Sequence, residues 1–387
     1  MSVPGSSLST GGAEARAMRA GEVAAELRAR DLDALLVSAP ANIRYLTGFT
    51  GSNGLALVLA HAGAGSGEPR HLFLTDFRYI EQAAEEVAGC FSRWPEDVAA
   101  AQPDLLGALA EQLARLDGHR VGFDADHLTV SRHEHLERLL PPAWELVAAS
   151  GIVERLREVK DAREIELVAA ASELADNALA RVLEDGLRGR TERDVALQLE
   201  LGMRRLGAQG GSFPAIVAAG AHGALPHAQP REVEIPAGVL VTIDWGALLD
   251  GYCSDCTRTY ATGPVSDHAR EVYELVLRAQ EAALAGLRPG ISGKEADALA
   301  REVIEQAGEG ERFGHGLGHG VGIEVHEHPR LSRSGGETRL RAGAVVTVEP
   351  GVYVPGELGV RIEDLVVLGA DGNRNLSSLP KALTEVS

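Results

Sequence analysis

Five residues of this chain, Asp244, Asp255, His319, Glu349 and Glu363, are of the types that bind divalent metal, and they fall in four short motifs. Four carboxylates and one imidazole make an oxygen-rich donor set, suited to Mn²⁺, with Co²⁺ or Zn²⁺ as alternatives. Four ionised carboxylates carry four negative charges, which two divalent cations balance. Two such ions ~3.5–4 Å apart can hold a water between them, lower its pKa towards neutrality and polarise a carbonyl. The chemistry this set points to is metal-assisted hydrolysis.

The first motif runs from Val239 to Thr259 and is folded by Asp250-Gly251, a strong hairpin-turn signal between two apolar runs. A two-residue loop pairs Asp244 with Thr257 and leaves Asp255 two residues along. A four-residue loop sets Asp244 opposite Asp255. Either register projects both acids from one face of the hairpin. Two buried acids on one face repel unless a cation neutralises them; the competing reading is a pair of turn-capping aspartates. Cys253 and Cys256 lie inside this hairpin, where a strand points them to opposite faces.

The second motif, Gly314-His-Gly-Leu-Gly-His-Gly-Val-Gly322, spaces His315 and His319 by four residues. Glycine at alternate positions rules out the helix that such a spacing otherwise suggests. As a strand it places both histidines on one face and bare glycine on the other, open to close approach by a substrate or another backbone. His326 follows seven residues after His319. The third and fourth motifs, Val345–Tyr353 and Gly359–Val367, read as two strands joined through Pro355-Gly356. Glu349 closes an apolar run, an expensive place for an unpartnered carboxylate. Arg361 and Glu363 share a face. One arginine could pair with one of the acids, but not neutralise four.

The elements that carry these motifs fall into two parts. With 387 residues the chain exceeds one ordinary core. Residues 1–15 read as a disordered Ser/Gly-rich tail, without the apolar core of a secretory signal. Residues 16–150 read as an α/β domain with a mixed sheet: a helix over Ala13–Arg30, strands at Ala34–Ser38, Leu55–Leu59, His71–Thr75 and Val121–Asp124, and helices near Tyr79–Val87 and His133–Leu140. Asn42, Arg44 and Tyr45 fall in a connector, and His61–Arg70 in a Gly-rich loop. Residues 151–387 read as α+β: helices at Arg163–Leu183, after Thr191, at Ser266–Leu287 and at Ser292–Gln306, on a largely antiparallel sheet bearing the five ligands. Thr191 and Asp194 form a capping-box pattern with Asp in place of Glu.

Composition narrows the partners. The formal charge of −19, from 37 basic and 56 acidic residues, argues against nucleic acid or an anionic membrane surface. No apolar run approaches the ~20 residues of a membrane span. Three cysteines (Cys90, Cys253 and Cys256) argue against a disulfide framework and fit a reducing cytoplasm.

Taken together, the motifs resemble the pita-bread metallopeptidases: methionine aminopeptidase, aminopeptidase P and prolidase. The resemblance implies a pita-bread catalytic domain preceded by a smaller creatinase/prolidase-type N-terminal domain. It implies that Asp244, Asp255, His319, Glu349 and Glu363 hold two metal ions, with Asp255 and Glu363 bridging and His319 on one ion only. It gives Glu349 a second role as general base on the water between them. Phe213-Pro-Ala-Ile-Val and Ala224-Leu-Pro-His-Ala228 resemble the proline-selective branch. There His227 contacts substrate near the scissile bond, and His326 hydrogen-bonds the substrate carbonyl and stabilises the tetrahedral intermediate. Phe213, His315, Tyr353 and Arg361 fall where that branch lines its proline pocket and supports the metal site. The N-terminal domain in such enzymes helps build a homodimer and reaches towards the partner's site, a role open to Asn42, Arg44 and Tyr45.

The expected activity is hydrolysis of the Xaa-Pro bond of dipeptides. A dipeptidase must read the free carboxylate after proline, a task for Arg330, Arg333, Arg361 or Arg44. The alternative is an Xaa-Pro aminopeptidase acting on tripeptides and longer chains. A more distant alternative is a non-catalytic peptide-binding module, whose relatives lose metal ligands. Creatinase also lacks these ligands, and methionine aminopeptidase does not usually carry the N-terminal domain.

Overall fold

A computed structural model describes residues 11–61, 70–87, 89–94, 104–335, 337–370 and 372–386. Contacts divide the chain into two compact units after Leu156. The first contains α1 (Gly11–Ala29), β1 (Ala34–Val37), α2 (Pro40–Thr47), β2 (Gly54–Leu59), β3 (His71–Thr75), α3 (Ile80–Glu86), β4 (Phe91–Trp94), α4 (Leu105–Leu113), β5 (Arg120–Phe123), α5 (Val130–Leu139) and β6 (Glu145–Ala148), with α6 (Ile152–Arg157) crossing the division. Its six strands run in the order β4-β3-β2-β1-β5-β6. β2 is antiparallel to β1 and β3 while the remaining pairs are parallel, so the sheet is mixed. Leu36, Leu57, Leu74, Leu109 and Val121 form its core.

Four elements here lack a sequence expectation: β4, α4, β6 and α6. The connector holding Asn42, Arg44 and Tyr45 is a helix. Pro40 opens α2, Gly48 ends it at φ 89°, and Ile43 and Leu46 are buried between. Asn42 and Tyr45 are buried within the unit, Asn42 donating to Glu154 at 2.5 Å, which removes them from a role as exposed reaching residues. The tail expected over residues 1–15 lies mostly outside the described residues, and its final part, from Gly11, belongs to α1. Of the Gly-rich loop after His61, residues 62–69 lie outside the described residues.

The second unit contains α7 (Ala162–Glu184), α8 (Glu192–Arg205), β7 (Gly210–Gly211), β8 (Ile216–Ala219), β9 (Leu240–Trp245), β10 (Ala247–Leu249), β11 (Tyr252–Cys253), β12 (Cys256–Ala261), α9 (Asp267–Gly286), α10 (Gly293–Gln306), β13 (Gly318–Gly320), β14 (Glu327–Leu331), β15 (Val345–Val348), β16 (Gly351–Val354), β17 (Leu358–Arg361), β18 (Asp364–Leu368) and β19 (Asn373–Asn375). All pairings between these strands are antiparallel. One core joins α9 and α10 to β15 and β17 through Val276, Ala300, Val346 and Val360. A second joins α7 and α8 to β8 and β9 through Leu179, Leu199, Val217 and Ile243.

Helix starts follow local chemistry. Asp161 and Glu164 close a full capping box on α7, and Ser292 and Glu295 do so on α10. At α8 only half of the expected box forms. Thr191 Oγ1 accepts from Asp194 N at 3.0 Å, but the Asp194 carboxylate accepts from Arg190 Nε at 2.8 Å instead of reaching back.

The hairpin around Asp250-Gly251 resolves the register. Leu249 faces Tyr252, and Asp244 faces Thr257, so the two-residue loop is correct along the whole hairpin. Asp250 at φ 48° and Gly251 at φ 74° both take the left-handed backbone that such a turn needs. The third and fourth motifs differ from expectation in being broken strands. One breaks at Glu349-Pro350, between β15 and β16, and the other at Ile362-Glu363, between β17 and β18. Asp255 likewise occupies the gap between β11 and β12. A residue at a break is released from the pleat's strict alternation, which lets three acids from different strands turn towards one point. No helix among the described residues is long and apolar enough to cross a membrane.

Candidate metal centre

Asp244 projects from β9, Asp255 precedes β12, His319 lies on β13, Glu349 follows β15 and Glu363 precedes β18. One oxygen from each of Asp244, Asp255 and Glu363 lies within 4.8 Å of the others. His319 Nε2 lies 3.3 Å from Glu349 Oε1 and 3.6 Å from Asp255 Oδ2. All five residues expected as ligands therefore meet in one place, although Asp244 and Glu363 lie 119 positions apart in the sequence.

Backbone and hydroxyl contacts hold them there. Glu363 N donates to Thr257 O at 3.0 Å, and Thr257 Oγ1 donates to Glu363 Oε2 at 2.7 Å. Thr347 Oγ1 donates to Glu349 Oε1 and accepts from His319 N, each at 3.0 Å. His319 Nδ1 sits 3.1 Å from Gly320 O, which places a ring proton on Nδ1 and turns Nε2 towards the acids. The bare glycine face of the second motif serves close backbone approach. A Cβ on Gly318 would lie 2.1 Å from Thr347 O, and one on Gly320 would lie 2.1 Å from His328 O.

The electrostatics ask for cations. Burial raises the Asp255 carboxyl well above its ordinary range, and Glu363 and Asp244 raise it further. Burial likewise lifts Glu363, reinforced by Glu349 and Asp244. Asp244 is raised by burial against the opposing Arg361, whose Nη2 lies 2.6 Å from Asp244 Oδ2. Glu349 goes the other way: burial pushes it up, but His319 and other nearby positive charge outweigh this and bring it to about 2. Asp244 Oδ1 and Glu363 Oε1 are buried without a hydrogen-bond partner among the described residues. Orphaned carboxylate oxygens facing one another fit divalent cations in chemistry, charge and position.

A cavity of about 1330 Å³ opens over the acids, and Phe213, His227, His315, His319, His326, Arg330 and Arg361 contribute to its wall. The His326 ring stacks 4.3 Å from His319. Burial and the neighbouring His319 lower the His326 pKa, which keeps it neutral and able to donate a hydrogen bond at pH 7. His315 Nε2 lies 2.9 Å from Tyr353 Oη, and Arg361 Nη1 donates to the same oxygen at 2.8 Å. Tyr353, expected at the substrate, is buried behind the wall and reaches the cavity only through His315 and Arg361. Arg361 is committed to Asp244, Tyr353 and Thr257, so it is not free to read a substrate carboxylate. Arg333 is exposed and paired with Glu305 at 2.7 Å. Arg44 belongs to α2 in the first unit. Arg330 stands opposite His319 in the β13–β14 ladder, lines the cavity, and has no ion-pair partner among the described residues.

Sequence reading missed the supports. Arg301 on α10 donates to the carbonyls of Phe313 and His315 at 2.8 and 2.6 Å, while Asp297 Oδ1 accepts from Leu317 N at 2.9 Å. Their i, i+4 spacing was the only available signal. Cys253 and Cys256 are buried free thiols, and Cys256 Sγ donates to Glu363 O at 3.3 Å. Burial raises the Cys256 thiol well above its ordinary value, which keeps it protonated and inert.

Comparison with known proteins agrees with this centre. The family model for Metallopeptidase family M24 matches residues 166–370, and that for the Creatinase/Prolidase N-terminal domain matches residues 19–159. The chain belongs to metallopeptidase family M24. Family M24 membership and the prolidase-like relatives make it a hydrolase of the prolidase and aminopeptidase P branch, with a pita-bread catalytic domain. An uncharacterized peptidase of Bacillus subtilis is 41% identical over 353 residues, 91% of this chain and 95% of its own. The solved Xaa-Pro dipeptidase of Bacillus anthracis superimposes with a TM-score of 0.88 at 37% identity, covering 95% of this chain and 99% of its own. An X-Pro aminopeptidase of Thermotoga maritima gives 0.82 at 35% identity, covering 92% and 98%. Both activities therefore occur among similar structures, and family M24 implies divalent metal for the acidic cluster.

Proposed function

We propose that this chain is an Xaa-Pro dipeptidase that holds two divalent cations, Mn²⁺ in the first instance, on Asp244, Asp255, His319, Glu349 and Glu363. Four carboxylates against a single buried arginine support two ions over one. When bound, the ions supply Lewis-acid polarisation of the scissile carbonyl and make a water acidic enough to attack near neutral pH. Glu349, ionised at neutral pH, takes a proton from the attacking water at a carboxylate oxygen. Neutral His326 donates its N–H to the carbonyl oxygen as negative charge builds there. His227 holds the peptide near the scissile bond, and Phe213 and His315 give the proline ring an apolar, imidazole-lined slot. The C–N bond breaks, the prolyl nitrogen takes the proton, and a free amino acid and proline leave.

One observation favours the dipeptidase: Arg330 lines the cavity directly opposite His319 in the ladder and has no ion-pair partner among the described residues. A guanidinium there matches the free carboxylate that ends a dipeptide. Cavity size does not decide, because about 1330 Å³ exceeds the ~300–1,000 Å³ of ordinary small-ligand sites. The second reading, an Xaa-Pro aminopeptidase, draws on the similar Thermotoga structure. Rates on matched Xaa-Pro dipeptides and Xaa-Pro-Xaa tripeptides, with metal stripped and then restored as Mn²⁺, Co²⁺ or Zn²⁺, test both. A Gly-Pro-type dipeptide left intact while the tripeptide is cut reverses the order. Arg330→Met is expected to raise KM for the dipeptide by about 10–100-fold, as the loss of a charge-assisted pair implies, while changing the tripeptide much less.

A further inference from the structure

Residues 220–230 form a loop between β8 and β9 that puts Pro226, His227, Gln229 and Pro230 on the cavity wall. Its first part, Gly220–Ala224, is a 3-10 turn. Inside the loop, Leu225 N donates to His222 O and Ala228 N to Leu225 O, each at 3.1 Å. Its feet meet at the start of α8, where Arg193 N donates to Arg231 O at 3.1 Å and one carboxylate joins entry to exit. Glu192, the first residue of α8, is 1% exposed. Its Oε1 accepts from Ala219 N at 2.9 Å, at the entry to the loop. Its Oε2 accepts from Arg231 N at 3.0 Å, at the exit. Arg231 adds a two-pronged guanidinium contact, Nε to Oε2 and Nη2 to Oε1, both 3.0 Å. His222 Nδ1 approaches both oxygens at 3.0 Å from within the loop. Burial pushes the Glu192 carboxyl up, but Arg231 and the two backbone N–H groups outweigh it and keep it ionised at neutral pH.

Every donor around Glu192 is satisfied by the carboxylate, and none serves α8 itself. Helix capping is already done by Thr191. Further along, Arg361 Nη1 donates to Pro226 O at 3.3 Å, and Gly223 packs so closely on Gly359 that a Cβ on Gly359 would lie 1.8 Å from Gly223 O. His227 is thus suspended between a carboxylate staple at the loop's feet and the metal-side arginine at its middle. We propose that Glu192 is a positioning residue for the Xaa-Pro reaction: by tying Ala219 to Arg231 it sets the reach of His227 over the substrate. The inference rests on the functional reading above, in which His227 contacts the peptide.

Glu192→Gln keeps the shape but turns an amide nitrogen towards donors. It is expected to lower kcat/KM on an Xaa-Pro dipeptide by about 10–100-fold, the scale of a misplaced contact. Mn²⁺ affinity measured by calorimetry should stay within about twofold, since no metal ligand is touched. The decisive comparison is the double variant with His227→Ala. If Glu192 acts through His227, Glu192→Gln costs little more once His227 is gone; losses that multiply overturn the proposal. Arg231→Ala, which spares both backbone contacts, should give a smaller loss with the same non-additivity, and it serves where Glu192→Gln folds poorly. Hydrogen exchange on the metal-free chain gives a readout apart from activity. Glu192→Gln should speed exchange at residues 219–231 and leave β10 and β11 unchanged; equal exchange in the loop overturns the staple. Wild-type chain inert on every Xaa-Pro peptide overturns the functional reading instead, and the exchange result still decides the staple.

Discussion

Glu363 and Asp364 are consecutive, both almost fully buried, and opposite in character. Asp364 accepts from Arg258 Nη2 at 2.8 Å, Gln280 Nε2 at 2.9 Å and Lys381 Nζ at 2.7 Å. Burial pushes its carboxyl up, but Arg258 and Lys381 more than reverse this and hold it below the usual range. Glu363 faces the other acids, keeps one oxygen orphaned, and is driven well above the usual range. The same division runs through the catalytic unit. Glu327 is paired with Arg157 and Lys160, Asp297 with Arg301, and Glu192 with Arg231. Asp255 has His319 as its one ion-pair partner among the described residues. Burial alone does not mark a metal ligand. A structural acid brings its cation along in the chain, whereas Asp255 and Glu363 have no guanidinium or ammonium partner among the described residues, and Asp244, paired with Arg361 through one oxygen, keeps the other orphaned.

The sharpest way to break this contrast is to neutralise one member of each class. Glu363→Gln should lower peptidase activity by roughly 10³-fold or more, because it removes a ligand expected to bridge two ions. It should also raise the melting temperature of the metal-free chain by a few degrees, about 1–2 kcal/mol, by relieving repulsion among buried acids. A metal-free melting temperature that falls would place Glu363 with the structural acids. Asp364→Asn is the mirror experiment. It leaves Arg258 buried without its carboxylate, at a cost of about 3–5 kcal/mol, and should lower the melting temperature by on the order of 10 °C. Turnover per metal-loaded, folded molecule should change by less than about threefold. Loss of bound metal at full thermal stability would erase the distinction.

How much of this was legible in the sequence follows the same line. That the five candidate ligands meet was legible because each motif is local: an Asp-Gly turn predicts the parity of Asp244 and Asp255, and alternation predicts that of His315 and His319. Asp244 takes its expected place opposite Thr257, whereas Asp255 falls in a strand break and His315 lies before the three-residue β13, outside the ladder. The cation partners were not legible. Arg157 meets Glu327 across 170 residues, and Arg258 meets Asp364 across 106, with nothing in either segment announcing the pairing. Glu192 looked like an ordinary acid in a first helical turn, where the dipole favours one anyway. The strand breaks at Glu349-Pro350 and Ile362-Glu363 were hidden because β-branched apolar residues continue on both sides. In the first unit, α2 carried its Pro and Gly punctuation but is only eight residues long, too short for periodicity to outvote a loop.

The smallest effect is also the most specific to the comparison, since it concerns sign. Asp255 and Glu363 have folded-state values raised above the unfolded ones. Their contribution to metal-free stability is therefore fully present below the unfolded carboxyl value and is lost as pH rises through the folded values. Glu192, Glu327 and Asp364 are depressed in the folded state. Their contribution is present above the unfolded value and is lost as pH falls through the folded one. Thermal melts of the metal-free wild type and Glu363→Gln across pH 4 to 7 separate the two. The gap in favour of Glu363→Gln should be near zero at the acid end and widen with pH, at up to ~1.4 kcal/mol per pH unit for one proton. Saturating Mn²⁺ should reverse it at pH 7 by stabilising the wild type, which binds the ions, over the variant, which does not. A gap that stays constant from pH 4 to 7 would mean that Glu363 does not titrate differently on folding, and the contrast with Asp364 would then rest on hydrogen bonding rather than on charge.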